Sequence, residues 1–237
     1  MQALILAAGL GTRLRPLTDN KPKALVEVNG RTLLEINIDR VSRAGVQRCV
    51  VNAHYFGDML IDYIHSHKWP CEVLVSDERH MLLDTGGALK HAAPLFLPNE
   101  PVLIHNVDIL SDIDLKALER HHVDSGNLVT LCTCHRDTSR MLLFDSTGNL
   151  AGIYGRDDQP GLKPLPFSGV SMASPELFNL MPDDDHPYPV FGCYLEIAKR
   201  HKIGYFMHPL GRWIDVGTID ALNKAEKIWA PTNELTN

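Results

Sequence analysis

Four short apolar runs at residues 3–6, 48–52, 72–76 and 101–106 alternate with amphipathic stretches at residues 33–44, 58–66 and 86–93. Parallel strands cannot be joined by a tight turn and need a crossover helix, so this alternation predicts βαβ units. Gly45 stops the first helix, Asp58 is placed to cap the second, and Pro94 ends the third. The expected class is α/β: a doubly wound, mostly parallel sheet. Ligands of such sheets bind beyond the carboxyl ends of the strands, so strand exits are where chemistry is expected.

After Asp112 the pattern loosens. A helix is expected at residues 115–122, with His121 and His122 at its end, where imidazolium suits the dipole. A strand follows at 128–134, then a small antiparallel hairpin of 141–144 and 150–154 around the turn 145–149. Residues 156–166, rich in Pro, Gly and Asp, read as a loop, and 167–172 as a strand. A helix at 175–181, a loop at 182–189, a helix at 190–200, strands at 203–206 and 213–216, and a helix at 219–229 capped by Thr218 complete the chain. One domain over residues 1–237 is expected, with a first half to residue 112 and a more irregular second half.

The first strand leads into the run from Leu6 to Lys23, which holds Gly9, Gly11 and four cations: Arg13, Arg15, Lys21 and Lys23. Glycines let backbone N–H groups approach an anion, and guanidinium and ammonium groups add full charge at the same place. The chain carries a net charge of −6 with histidine neutral, so this local cluster reads as a polyphosphate site and not as part of a general nucleic-acid surface. A Walker A loop is absent. A dinucleotide fingerprint fails because Leu14 stands where a third glycine is needed, and Glu35 falls inside a helix. No segment is long enough to span a bilayer, so a cytoplasmic location is expected. The five scattered cysteines read as reduced thiols, with Cys132 and Cys134 packed as small hydrophobes on one strand.

Asp108 and Asp215 each interrupt an apolar strand near its exit. Asp108 suits a divalent cation or a turn, Asp112 being better placed to cap a helix. Asp215 suits a cation or the backbone N–H groups around Gly217. Thr85-Gly86-Gly87 stands at a helix start, where it suits an ordinary cap or backbone donors to an anionic oxygen.

The full run Gly9-Leu-Gly-Thr-Arg-Leu-x-Pro-Leu-Thr-x-x-x-Pro-Lys23 resembles the signature of the sugar-1-phosphate nucleotidyltransferases. His105-Asn-Val-Asp108, Leu83-Asp-Thr-Gly-Gly87, Phe167-Ser-Gly-Val170 and Trp213-Ile-Asp-Val-Gly-Thr218 resemble further landmarks of that family, notably of its short bacterial members of the N-acetylmuramate-1-phosphate uridylyltransferase type. Val107 stands where the family more often has Gly.

The resemblance implies a GT-A-type, Rossmann-like fold. It implies nucleotide contacts at Ala8, Gly9, Gly11, Thr12, Arg13, Lys23, Glu78, Arg79, Thr85 and Gly86, and sugar contacts at Asn106, Ser168 and Gly169. It implies Mg²⁺ on Asp108 and Asp215. Glu78 or the backbone at Arg79 would read the base, and Arg13 and Lys23 would neutralise phosphate charge. Tyr154-Gly-Arg-Asp-Asp158 replaces the family's Glu-Lys-Pro, and Arg140 and Arg156 are expected at the solvated surface rather than on phosphate.

The implied reaction joins an NTP and a sugar 1-phosphate, giving NDP-sugar and pyrophosphate, with UTP and a hexose or N-acetylmuramate 1-phosphate as substrates. Alternatives are mannose- or heptose-1-phosphate guanylyl transfer, and a non-catalytic nucleotide-sugar-binding subunit. The partners expected are these small molecules, with no nucleic acid and no membrane, for a monomer or homodimer. A related glycosyltransferase would carry an early Asp-x-Asp, whereas Asp183-Asp-Asp185 falls in a late loop.

Overall fold

The computed structural model describes residues 1–183 and 186–229. The chain opens with β1 (Gln2–Leu6), a short hairpin of β2 (Glu27–Val28) and β3 (Arg31–Thr32), and α1 (Leu33–Arg43). Next come β4 (Arg48–Ala53), α2 (Gly57–Ser66), β5 (Glu72–Asp77), α3 (Asp84–Ala92), β6 (Val102–Asn106), β7 (Ile109–Ser111) and α4 (Leu115–Ser125). The second half runs β8 (Val129–Thr133), β9 (Met141–Phe144), β10 (Leu150–Ile153) and β11 (Lys163–Ala173), then α5 (Leu177–Leu180) and α6 (Val190–Ala198). It closes with β12 (Ile203–Met207), β13 (Trp213–Asp215) and α7 (Ile219–Ile228).

Among the described residues nine strands build one mixed sheet. β5, β4, β1 and β6 lie side by side and parallel. β11 runs antiparallel to β6 and carries the sheet onward to β8 and β12 on one side and to the β9–β10 hairpin on the other. Strand alternation explains the continuous apolar runs: Ala3, Ile5, Cys49 and Val51 enter one core, while Leu4 and Val50 enter the other. Residues of α1, α2, α4 and α7 share the first core, and those of α3, α5 and α6 the second, so the sheet is covered on both faces. No helix among the described residues is long and apolar enough to cross a membrane.

Local chemistry sets the details. Thr32 caps α1 in a reciprocal box: Glu35 N–H donates to its Oγ1 at 3.1 Å, and its own N–H donates to the Glu35 carboxylate at 2.7 Å. This fixes Glu35 in the helix, as expected. The hairpin before it turns on Asn29 and Gly30, both at positive φ (51° and 75°); this Asn-Gly signal was legible but lies outside the expected elements. α2 is capped by Phe56 in the left-handed region, not by Asp58, which lies in the first turn. α4 is capped by Asp114 and not Asp112, whose carboxylate instead accepts from Arg212 N–H at 3.0 Å.

Two expectations are corrected more substantially. α4 continues to Ser125, and His122 lies buried within it, between Thr130 Oγ1 (2.9 Å) and Ser174 Oγ (3.1 Å). Burial pushes its pKa down to about 4, so a neutral ring and not an imidazolium occupies the position. β11 begins at Lys163, inside the stretch read as loop. Pro164 and Pro166 are tolerated because β9 pairs this segment on one side, while the β8 ladder starts only at Phe167. Asp184 and Asp185, within the expected loop 182–189, lie outside the described residues. All five cysteines are free, Cys132 and Cys134 both buried.

Candidate active site

β1 delivers the chain to the cleft at Leu6. The N–H groups of Ala7 and Ala8 both donate to Asn52 Oδ1, at 2.6 and 3.2 Å, where β4 exits beside it. Asn52 Nδ2 in turn donates to Glu78 Oε1 at 2.9 Å. Glu78 therefore sits under the glycine loop, and burial pushes its pKa up. Gly11 is left-handed (φ +63°), and a Cβ there would lie 3.0 Å from Thr18 Cγ2 and 3.2 Å from Lys23 Cβ. With Thr18 Oγ1 donating to Gly11 O at 2.8 Å, the loop folds on itself and turns Lys23 back toward the sheet. Lys23 Nζ reaches Asp108 Oδ2 at 2.8 Å, the two side chains being only 15% and 11% exposed. That is a short, largely desolvated, charge-assisted contact.

The second carboxylate arrives from far along the chain. β13 pairs antiparallel with β7, setting Asp215 opposite Ile109, and Val216 N–H donates to Asp108 O at 2.8 Å. Asp215 Oδ1 is buried and accepts no hydrogen bond. Burial first, and the Asp108 charge second, push the Asp215 pKa up against the pull of Arg13, Lys23 and Arg140. A Cβ on Gly217 would lie 2.6 Å from both Arg13 Nη2 and Asp215 Oδ1, so this glycine leaves open the space between them. Arg13, Lys23, Asp108 and Asp215 thus converge from distant parts of the sequence.

Two hollows meet here. One is lined by Ala8, Gly9, Lys23, Thr85, Asn106 and Asp108. The other includes Asn106, Arg140, Phe167, Gly169, Trp213 and Asp215. Asn106 borders both. Gly169 (φ +75°) permits the approach, since a Cβ there would stand 2.6 Å from Ile109 Cγ1 and 3.3 Å from Asn106 Nδ2.

Several residues named from sequence lie elsewhere. Ser168 points away from the cleft, its Oγ 2.8 Å from His208 Nε2, because Phe167 and Gly169 take the cleft face and strand alternation sends their neighbour to the other. The Glu78 side chain is turned under the loop toward Asn52. Arg79 turns outward, its guanidinium paired with Asp77 at 2.7 Å and with Asp58. Thr85 lines the first hollow, but its Oγ1 accepts from Val190 N–H at 3.0 Å, and Gly86 N–H donates to Tyr188 O at 2.9 Å. Neither group caps α3, whose N-cap is Leu83. Thr12 and Arg13 lie on the exposed turn after Gly11. Arg140, expected at the surface, is exposed yet lines the second hollow. Arg156 pairs with Asp157 at 2.9 Å outside it.

Sequence reasoning missed Asn52, although a polar residue closing an apolar strand is a readable signal. It also missed Arg136, which sits in a polar stretch without distinguishing pattern.

Residues 2–141 match the Nucleotidyl transferase family profile. The chain belongs to that family. This nucleotidyltransferase is 33% identical to the N-acetylmuramate alpha-1-phosphate uridylyltransferase of Caulobacter vibrioides, over 94% of its own length and 95% of the relative's. It is 31% identical to the protein of the same description from Neisseria meningitidis, over 96% and 98%. Its fold superposes on HddC from Yersinia pseudotuberculosis with a TM-score of 0.77 at 24% identity, covering 96% of this chain and 98% of that one. The family makes it an enzyme that transfers a nucleotidyl group.

Proposed function

We propose that the enzyme transfers a uridylyl group from UTP to a sugar 1-phosphate, with N-acetylmuramate 1-phosphate as acceptor, releasing pyrophosphate with Mg²⁺ as cofactor. The convergence of Lys23 and Arg13 with Asp108 and Asp215, where the two hollows meet, carries this reading. The base and sugar follow two relatives that match over 94% and 96% of the chain.

The nucleophile, a sugar-phosphate oxygen, is already an anion, so no general base is required. The difficulty is charge: two unit charges 4 Å apart repel by about 4 kcal/mol at an effective dielectric near 20, and these substrates bring several. Catalysis is therefore neutralisation and in-line positioning. Backbone N–H groups of the loop from Gly9 to Thr12 face the triphosphate. Arg13 holds the leaving pyrophosphate, and Lys23 holds the α-phosphate while the acceptor oxygen attacks from the opposite side. Arg140 takes the acceptor's phosphate, and Asn106, Gly169 and the backbone beside Ser168 shape the sugar side. Thr85 lines the nucleotide side, and Gly86 lets the Tyr188 segment close against it.

Asp108 and Asp215 fit a magnesium ion. Two carboxylates, one with a buried oxygen that accepts no hydrogen bond, supply the hard oxygen ligands this cation takes alongside phosphate oxygens and water. When bound there it would offset phosphate charge and relieve the repulsion between the two acids.

The test is a matrix of four nucleoside triphosphates against a panel of sugar 1-phosphates, followed by pyrophosphate detection. UTP with N-acetylmuramate 1-phosphate should release pyrophosphate in the presence of Mg²⁺ and stop on chelation. Preference for GTP with mannose or heptose 1-phosphate would replace the uridylyl reading with a guanylyl one. Silence with every pair would mean a subunit that binds without turnover.

A further inference from the structure

Arg136 follows the end of β8 and lines the second hollow, where the function above gives it no part. Its guanidinium is locked. Nη2 donates to Phe167 O at 2.8 Å, and the guanidinium carbon lies 4.2 Å from the centroid of the Trp213 ring. Trp213 is itself pinned, its Nε1 donating to Ser168 O at 2.9 Å. A planar, stacked and singly anchored guanidinium keeps the rest of its fork in fixed directions. Nη1 is buried and donates to nothing. Among the described residues no ion pair involving Arg136 is present, whereas Lys23 has Asp108. Burial already lowers the Arg136 pKa, so an unpartnered charged donor is held in place at some cost.

The position along the strands says what such a donor can reach. Phe167 lies two residues before Gly169 on β11, and Trp213 two residues before Asp215 on β13. At roughly 3.3 Å per residue, Trp213 lies about 7 Å back along β13 from Asp215, and Phe167 about as far along β11 from Gly169. That is about the width of a sugar ring beyond the place where the acceptor's phosphate must sit to be attacked. Around it the hollow is partly walled by the apolar Met141, Leu142, Ile153 and Phe191, which lower the local polarity and sharpen the discrimination of charge.

We propose that Arg136 is a specificity-determining residue, whose free Nη1 fork binds a carboxylate borne by the sugar ring in addition to its 1-phosphate. This rests on the sugar-phosphate reading of the second hollow. No covalent step is involved. A muramate-type acceptor meets the requirement through its lactyl ether carboxylate, and a neutral hexose does not.

The experiment compares N-acetylmuramate 1-phosphate with its carboxamide, which removes the charge and keeps the shape. Both are measured on wild type, Arg136→Gln and Arg136→Lys by steady-state kinetics with UTP and by calorimetric binding to the whole enzyme. Arg136→Gln should lower the acid-over-amide preference in kcat/KM at least ten-fold, carried by KM for the sugar with KM for UTP held, and Arg136→Lys should recover part of it. An equal loss for acid and amide would overturn the proposal, because the contact would then be to the phosphate or merely structural. An unchanged preference would overturn it too, as would a wild type that binds neither compound. If Arg136→Gln melts early, Arg136→Lys, which keeps charge and stack, decides by the same ratio. Calorimetry separates this idea from the catalytic one: a shifted binding ratio without pyrophosphate release supports Arg136 and rejects turnover, and turnover with an unshifted ratio does the reverse.

Discussion

Lys23 and Asp215 stand in opposite situations. Lys23 has a partner at 2.8 Å, and its removal leaves Asp108 facing Asp215 with less compensation. Lys23→Ala should cut kcat by at least 100-fold in steady-state assays, with the circular dichroism spectrum unchanged because the residue sits on a turn. Asp215 is raised in pKa by burial and by Asp108, so both work against its charged form. Asp215→Asn removes that repulsion and should raise the melting temperature of the metal-free protein while abolishing Mg²⁺-dependent turnover. For a chain of this size about 1 kcal/mol appears as roughly 2–4 °C. A fall in melting temperature would show that the carboxylate is stabilising in place. Gain in stability with loss of function is the mark of an acid held for chemistry.

The elements supply the geometry through glycines and strand registers, and here the sequence was only partly legible. Gly217→Ala would put a methyl group 2.6 Å from both Arg13 Nη2 and Asp215 Oδ1, so both side chains must shift. The expected result is a kcat loss with a melting temperature held within a few degrees. Gly169→Ala adds strain at φ +75° and a contact 2.6 Å from Ile109, and should destabilise by about 1–3 kcal/mol in denaturant unfolding. The βαβ half could be read because each strand there is apolar on both faces and each helix is amphipathic, and Asp108 followed from its strand exit. Ser168 could not be placed, since deciding which of two adjacent residues faces a cleft needs the register of β11 against β6. The side-chain directions of Glu78 and Arg79 were not legible for a related reason: at the exit of β5 a one-residue difference sends one side chain to solvent and the other under Asn52. The Arg136–Trp213 stack depends on tertiary contact alone, and no local pattern announces it.

For the molecule as a whole, buried neutral histidines set the acid limit. His105 is pushed down to about 3 by burial and by Arg40, and His122 to about 4 by burial and by His121. Their unfolded pKa is near 6.5, so the unfolded chain binds more protons as pH falls below that value. Each then removes up to about 1.4 kcal/mol per pH unit between 6.5 and its folded value, and full stability is present only above pH 6.5. The midpoint in urea should fall steadily from pH 7 to pH 5, and His122→Gln should flatten that slope; an unaltered slope would exclude the residue. The pairing of β7 with β13 joins positions more than 100 residues apart, Ile109 with Asp215. A ribosome must therefore add more than 100 residues after the first acid before the second can reach it. A chain cut short before residue 215 should therefore show no Mg²⁺-dependent turnover, an outcome that a truncation series with pyrophosphate detection would check.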